Sequence, residues 1–184
     1  MPDRRDALCA AAELILAIER NTLATKSIDT VATVGTCDVH PGAVNSVPSR
    51  VLLQLDIRDT DPARRESVMQ AIRRDVAEIA QRRAVTITEA LVNADQPAWS
   101  EDRVIASLEQ AREDLGYQST KMVSRAYHDS LFMARIAPIA MLFVPCRGGV
   151  SHRPEEYADP ADIARGTEVL ALALTPHLSS TPMP

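Results

Sequence analysis

Aromatic residues are scarce in this chain: one Trp, three Tyr and two Phe among 184 residues. With 46% of residues hydrophobic a core can still form, built mostly from Ala, Leu, Ile and Val. Cysteine is sparse too. Cys9, Cys37 and Cys146 are an odd number without CxxC spacing, which excludes a disulfide framework and a zinc knuckle and fits a reducing, cytoplasmic setting. No apolar run approaches the ~20 residues of a membrane span. Residues 7–18 come nearest, but Glu13 interrupts them and no small-residue cleavage site follows, so neither a membrane helix nor a signal peptide is expected. Excess positive charge is also missing. A net charge of -5 and a pI near 5.4 argue against a nucleic-acid groove. The pairs Arg64-Arg65, Arg73-Arg74 and Arg82-Arg83 recur at helical spacing among acids and read as a solvated helix face. A GxSxG elbow, a P-loop and a GxGxxG turn are all absent.

What is present is clear periodicity. Residues 4–20 carry Ala7, Leu8, Ala11, Leu14, Ile15 and Ile18 at three-four spacing, which predicts a helix. Residues 28–39 and 50–58 alternate and predict strands, with the turn His40-Pro41-Gly42 after the first. Asp61 and Pro62 suit the N-cap and first turn of a helix reaching Arg83, with Val68, Ile72, Val76 and Ile79 inward. Residues 84–91 read as a further strand. Helix, strand, strand, helix, strand is a ferredoxin-like α+β unit without its first strand, which normally lies inside the sheet. Its absence would leave backbone groups unpaired, so the N-terminus is expected to be cut. A boundary falls at 93–100, giving domains 1–98 and 99–178 and a disordered tail, 179–184. The second domain reads as helix 101–115 closed by Gly116, strand 119–124, a helical turn in 129–136, a strand 139–144 buried on both faces, and helix 160–174 with Ile163, Val169, Leu170 and Leu174 inward. That is part of an α/β domain.

There are four histidines. His177 follows Pro176 at a helix end and reads as a surface residue; His40 sits in a turn. His152 follows the turn Gly148-Gly149 behind an apolar run, a position that suits a metal ligand, but a metal site needs three or more protein ligands. His128, before Asp129, is either an oriented base or part of a capping cluster. Asn45 and Arg58 are either a donor–acceptor amide and a carboxylate fork or an ordinary turn Asn and surface Arg. Cys146 beside Arg147 is a weak alternative nucleophile without a partner order.

Four stretches together resemble the dinuclear-metal amidohydrolases of the carbamoylase and allantoate amidohydrolase type. They are Val44-Asn45-Ser46-Val47-Pro48-Ser49, Leu55-Asp56-Ile57-Arg58-Asp59, the run from Ser124 to Arg135, and Ser151-His152-Arg153-Pro154-Glu155-Glu156-Tyr157. Arg125-Ala126-Tyr127-His128-Asp129-Ser130, where carbamoylases usually have Gly-Ala-Gly-His-Asp-Ala, resembles the ureidoglycolate branch. The resemblance implies a ferredoxin-like lid and dimerisation domain, followed by the C-terminal part of the catalytic α/β domain. It implies His152 as the last metal ligand, and Asn45, Arg58, Tyr127, His128, Gly149 and Ser151 as substrate contacts, with Arg58 on the substrate carboxylate. It further implies a manganese or zinc pair, a small ureido-acid substrate, hydrolysis of ureidoglycolate to glyoxylate, ammonia and carbon dioxide, and a homodimer. Members of that family are roughly twice this length. The segment carrying their other metal ligands and the general-base glutamate precedes the lid and has no counterpart here, so the chain is expected to be inactive alone. Two other readings stay open: a non-catalytic assembly module, and a fragment acting on allantoate or N-carbamoyl amino acids.

Overall fold

A computed structural model describes Met1 and residues 3–178; the side chains of 176–178, including His177, and the expected tail 179–184 lie outside that description. The chain forms two compact units, Met1–Pro97 and Ala98–Pro184.

The first unit begins with helix α1, Ala7–Ala24. Asp6 caps it by accepting from the backbone N–H of Leu8 (2.9 Å) and Cys9 (3.1 Å). Burial pushes the Asp6 carboxyl up, but the Cys9 amide and the Arg4 guanidinium outweigh this and hold it below the ordinary range. Strand β1, Val31–His40, pairs antiparallel with β2, Arg50–Arg58. The register runs from Val31 opposite Arg58 to His40 opposite Arg50, with an irregularity between Val34 and Thr36. Helix α2 spans Pro62–Arg83, capped by Asp61 through the N–H groups of Ala63 and Arg64. Ala84 ends it in the left-handed conformation.

The helices form one layer and the hairpin lies beneath it. Ile18, Val68 and Ile72 are buried against Ala32, Val34, Leu55 and Ile57, the inward positions of both strands. A second cluster joins Ala10 and Ala17 of α1 to Ile79 of α2, with Val85 and Ile87 packed on it. Small residues at 10 and 17 let the helices approach closely, and Leu14 touches both clusters. Glu13 clamps the two helices by pairing with Arg82 (2.6 Å) and Arg83. These guanidinium hydrogen bonds hold its carboxyl down at about 2.

The second unit contains α3 (Asp102–Asp114), a short α4 (Ser130–Met133), a 3₁₀ turn at Arg147–Gly149 and α5 (Pro160–Leu178). Gly116, at φ +72, follows the end of α3 as expected. Ala111 of α3 and Val169 and Ala173 of α5 are buried together, with Leu108, Leu115 and Tyr117 around them. The contact stripe of α5 is narrower than its periodicity predicts. Val169 is inward, but Ile163, Leu170 and Leu174 are 50%, 48% and 48% exposed. Gly166 permits the approach of the apolar segment before the loop: a Cβ there would lie 2.6 Å from Val144 Cγ1.

Three expected strands are corrected. Among the described residues the only sheet is β1–β2, and 84–91, 119–124 and 139–144 form no ladder. A strand exists through its hydrogen-bonded neighbour, and none of the three has one. The segment 139–144 is therefore not buried on both faces: Leu142, Phe143 and Val144 are 41%, 46% and 38% exposed. The architecture is a small α/β arrangement with a two-stranded antiparallel sheet.

Candidate functional site

The two units carry separate groups of candidate residues. In the first, Arg58 ends β2. Asp56 and Arg58 share the strand face turned away from the helices, since Leu55 and Ile57 point inward. The Arg58 fork grips the Asp56 carboxylate from Nε (2.7 Å) and Nη2 (2.5 Å). Behind it, Asp59 is buried and fixes the step from β2 into α2. It accepts from Thr30 Oγ1 (2.6 Å), the Asp61 amide (2.9 Å) and Arg64 Nε (2.8 Å) and Nη2 (2.5 Å). Burial pushes its carboxyl up, but the Arg64, Thr30 and Asp61 hydrogen bonds prevail and hold it at about 2.

Asn45 lies exposed in the loop joining β1 to β2. That loop is closed by Ser49 N–H donating to His40 O (3.0 Å) and tied to α1 by Ala7 N–H donating to Pro48 O (3.1 Å). It contains the cis His40–Pro41 bond and Gly42 at φ +71. Asn45 stands in the loop beyond the His40–Arg50 pair, and Arg58 is opposite Val31 at the other end of the ladder. Eight residue steps of β2 separate Arg50 from Arg58 by about 26 Å.

In the second unit, Tyr127 and His128 stand just before α4. His128 Nδ1 accepts from the Ser130 backbone N–H (3.1 Å) and faces Ser130 Oγ (3.0 Å). The neutral ring then carries its proton on Nε2 and presents a donor outward. Ser130, not Asp129, orients the ring; Asp129 makes no side-chain cap bond either. The spacing of two residues was the available signal, because Ser bonds readily across such turns. Tyr127 sits edge-on to Phe132 at 5.9 Å, and Arg135 lies over the Phe132 ring at 5.1 Å.

His152, Gly149 and Ser151 belong to one exposed loop closed on itself. Arg147 N–H donates to Tyr157 O (2.8 Å), and its guanidinium stacks on the Tyr157 ring at 4.0 Å. The Cys146 thiol donates to Val150 O (2.9 Å), which makes it a brace for the turn. The His152 backbone N–H donates to Glu156 Oε2 (2.8 Å). Gly148 and Gly149 take φ +64 and +65, as a glycine turn requires, but His152 itself is at +59. A non-glycine residue there costs roughly 1–2 kcal/mol. Arg125, beside the other candidate group, is likewise at +54. Both loops hold strained residues where the candidates are.

Taken together, the structure shows an Arg fork on an exposed strand face, an imidazole fixed to present Nε2–H, and a Gly-Gly loop that strains a histidine. The chain belongs to peptidase family M20/M25/M40, whose profile matches residues 7–175. Among its relatives, ureidoglycolate hydrolase of Oryza sativa subsp. japonica is 50% identical over 95% of this chain and 36% of its own length. Ureidoglycolate hydrolase of Arabidopsis thaliana is 51% identical over 95% of this chain and 37% of its own length. The crystal structure of AtUAH in complex with glyoxylate superposes with a TM-score of 0.91 at 50% identity, covering 96% of this chain and 42% of that one. The chain thus spans little more than a third of the curated relatives it matches.

The family is generally metal-dependent. Among the described residues, however, no three His, Cys, Asp or Glu side chains stand together to hold an ion. One histidine does not make a metal site, so the residues present do not fit the group. Among the described residues, no helix is long and apolar enough to cross a membrane.

Proposed function

We propose that this chain is the lid and C-terminal catalytic portion of a ureidoglycolate-type amidohydrolase, acting on the C–N bond of a small ureido acid. The observation that carries the reading is the Arg58 fork, exposed on β2 and already seating a carboxylate, that of Asp56. A ureido acid offers the same group, and a relative half identical to this chain binds glyoxylate. In this reading Arg58 holds the substrate carboxylate and His128 donates from Nε2 to a ureido or carbonyl oxygen. Tyr127, Gly149 and Ser151 are further substrate contacts. Asn45 holds the substrate together with Arg58. The Met1–Pro97 unit is a ferredoxin-like lid that dimerises. His152 serves as one ligand of a manganese or zinc pair whose other ligands come from the part of the relatives that this chain does not match. The three unpaired thiols suit the cytoplasm.

Titration of the purified chain with glyoxylate tests this, read at the Arg58 Nε–H and His128 ring signals by NMR. Both signals should shift at millimolar glyoxylate, and Arg58→Gln should abolish the response. No shift, or a response that survives Arg58→Gln, overturns the substrate assignment. The chain alone should hydrolyse no ureidoglycolate when manganese is added; measurable turnover would overturn its being only a portion of the enzyme.

A further inference from the structure

His128 meets Ser130 twice, and the two contacts carry unequal weight. The Ser130 backbone N–H reaches His128 Nδ1 at 3.1 Å, and an amide N–H can only donate. Ser130 Oγ lies 3.0 Å from the same nitrogen, but a hydroxyl can donate or accept and so favours neither tautomer. The amide does discriminate. Were the proton on Nδ1, ring N–H would face backbone N–H and the contact would turn repulsive. With the proton on Nε2, the Nδ1 lone pair accepts from the amide. The same turn holds the main chain beneath the ring. His128 O accepts from Leu131 N–H (2.9 Å), and Asp129 O accepts from Phe132 N–H (2.9 Å) and Met133 N–H (3.2 Å). His128 is exposed, so the Nε2 edge is the one left for a ligand.

We propose that Ser130 is a positioning residue which, through its main-chain N–H, makes His128 a one-way hydrogen-bond donor and thereby sets which small acids the site accepts. Both ring nitrogens are committed: the Nδ1 lone pair to the Ser130 amide, Nε2 to its proton. While that contact holds, the ring has no lone pair to offer, so His128 does not take a proton from water or substrate as a general base. The group it meets must be an acceptor. An aldehyde, amide or ureido carbonyl oxygen qualifies. An ammonium group, which only donates, does not. Small acids that share a carboxylate but differ at the other end are therefore separated: oxo and ureido acids are taken and α-amino acids are refused. The choice of ligand rests on the ureido-acid reading, whereas the tautomer is a property of the free chain.

Long-range proton–nitrogen NMR of the purified chain, with the imidazole neutral, reads the tautomer directly. His128 should be an Nε2–H species, and a scalar coupling should join the Ser130 amide nitrogen to His128 Nδ1 across the hydrogen bond. Ser130→Ala removes the hydroxyl, keeps the amide, and should leave the Nε2–H form predominant. Replacing serine 130 by its α-hydroxy-acid analogue turns the amide into an ester and deletes only the N–H. That change should lower the ratio of Nε2–H to Nδ1–H forms about fivefold, the net worth of one hydrogen bond. A role confined to packing the turn would leave this ratio where it is. Glyoxylate should shift the Nε2–H signal of the parent chain, and glycine at the same concentration should not. The proposal is overturned if the parent ring is a mixture of tautomers, if the ester leaves the ratio unchanged, if Ser130→Ala alone abolishes the preference, or if glycine shifts the ring as glyoxylate does. Silence from both ligands beside a fixed Nε2–H form would instead sink the ureido-acid reading and leave the positioning of His128 intact.

Discussion

Asp59 is the residue whose removal should be felt most in the Met1–Pro97 unit. Its side chain is fully buried and anchors Thr30, Asp61 and Arg64 at once. A carboxyl held at about 2 instead of 3.8 corresponds to about 2.5 kcal/mol of folding stability at neutral pH. The sign follows from the lowered value. This contribution is complete above the unfolded carboxyl's pKa, near 4, and is lost as pH falls through about 2. At pH 3 roughly half of it, about 1.3 kcal/mol, should remain. Breaking a buried ion pair from one side costs about 3–5 kcal/mol, but Arg64 is 30% exposed and can turn to water, which brings that route to a similar figure. Asp59→Asn should therefore destabilise this unit by about 2 kcal/mol at pH 7 and by about half as much at pH 3. Urea unfolding is best followed through the NMR signals of Ile18 and Ile72, because the single Trp, Trp99, belongs to the other unit. A loss below about 0.5 kcal/mol, or a loss that is equal at the two pH values, would refute the reasoning.

Other outcomes follow from individual contacts. Gly166→Ala should lower the stability of the second unit by about 1–3 kcal/mol through the clash with Val144 Cγ1, and Val144→Ala in the same chain should restore part of it; equal urea midpoints for the single and double variants would contradict this. His152→Gly should raise stability by up to ~1 kcal/mol, because glycine accepts the φ of +59 without strain; thermal unfolding shows the sign. Asp56→Asn should remove one competing carboxylate from Arg58 and tighten glyoxylate binding by a few-fold, about what an exposed ion pair is worth; unchanged or weaker binding by NMR titration would count against competition between the two carboxylates.

How much the chain discloses by itself differs between local and non-local features. The helices at 7–24, 62–83, 102–114 and 160–178 were legible because side chains at three-four spacing, Asp61-Pro62 and Gly116 act within a few residues of one another. Strand 50–58 was legible from strict alternation, and its ends match. Residues 84–91 and 139–144 show equal β character, yet pairing is not a property of a segment, and among the described residues neither has a ladder partner. The candidate residues divide the same way. Arg58, His128 and His152 could be picked out by residue type and motif. Their working states could not, because Asp56, Ser130 and Glu156 act on them through turn and strand geometry that residue type alone does not reveal.

The amino-acid sequence alone thus determined the helices, the one long hairpin and the residue types at the candidate site, since these depend on short-range periodicity and chemistry. The tertiary structure alone decided which strands pair and that His152 has no companion ligands among the described residues. Each of these depends on which distant segments meet, not on any stretch of residues taken singly.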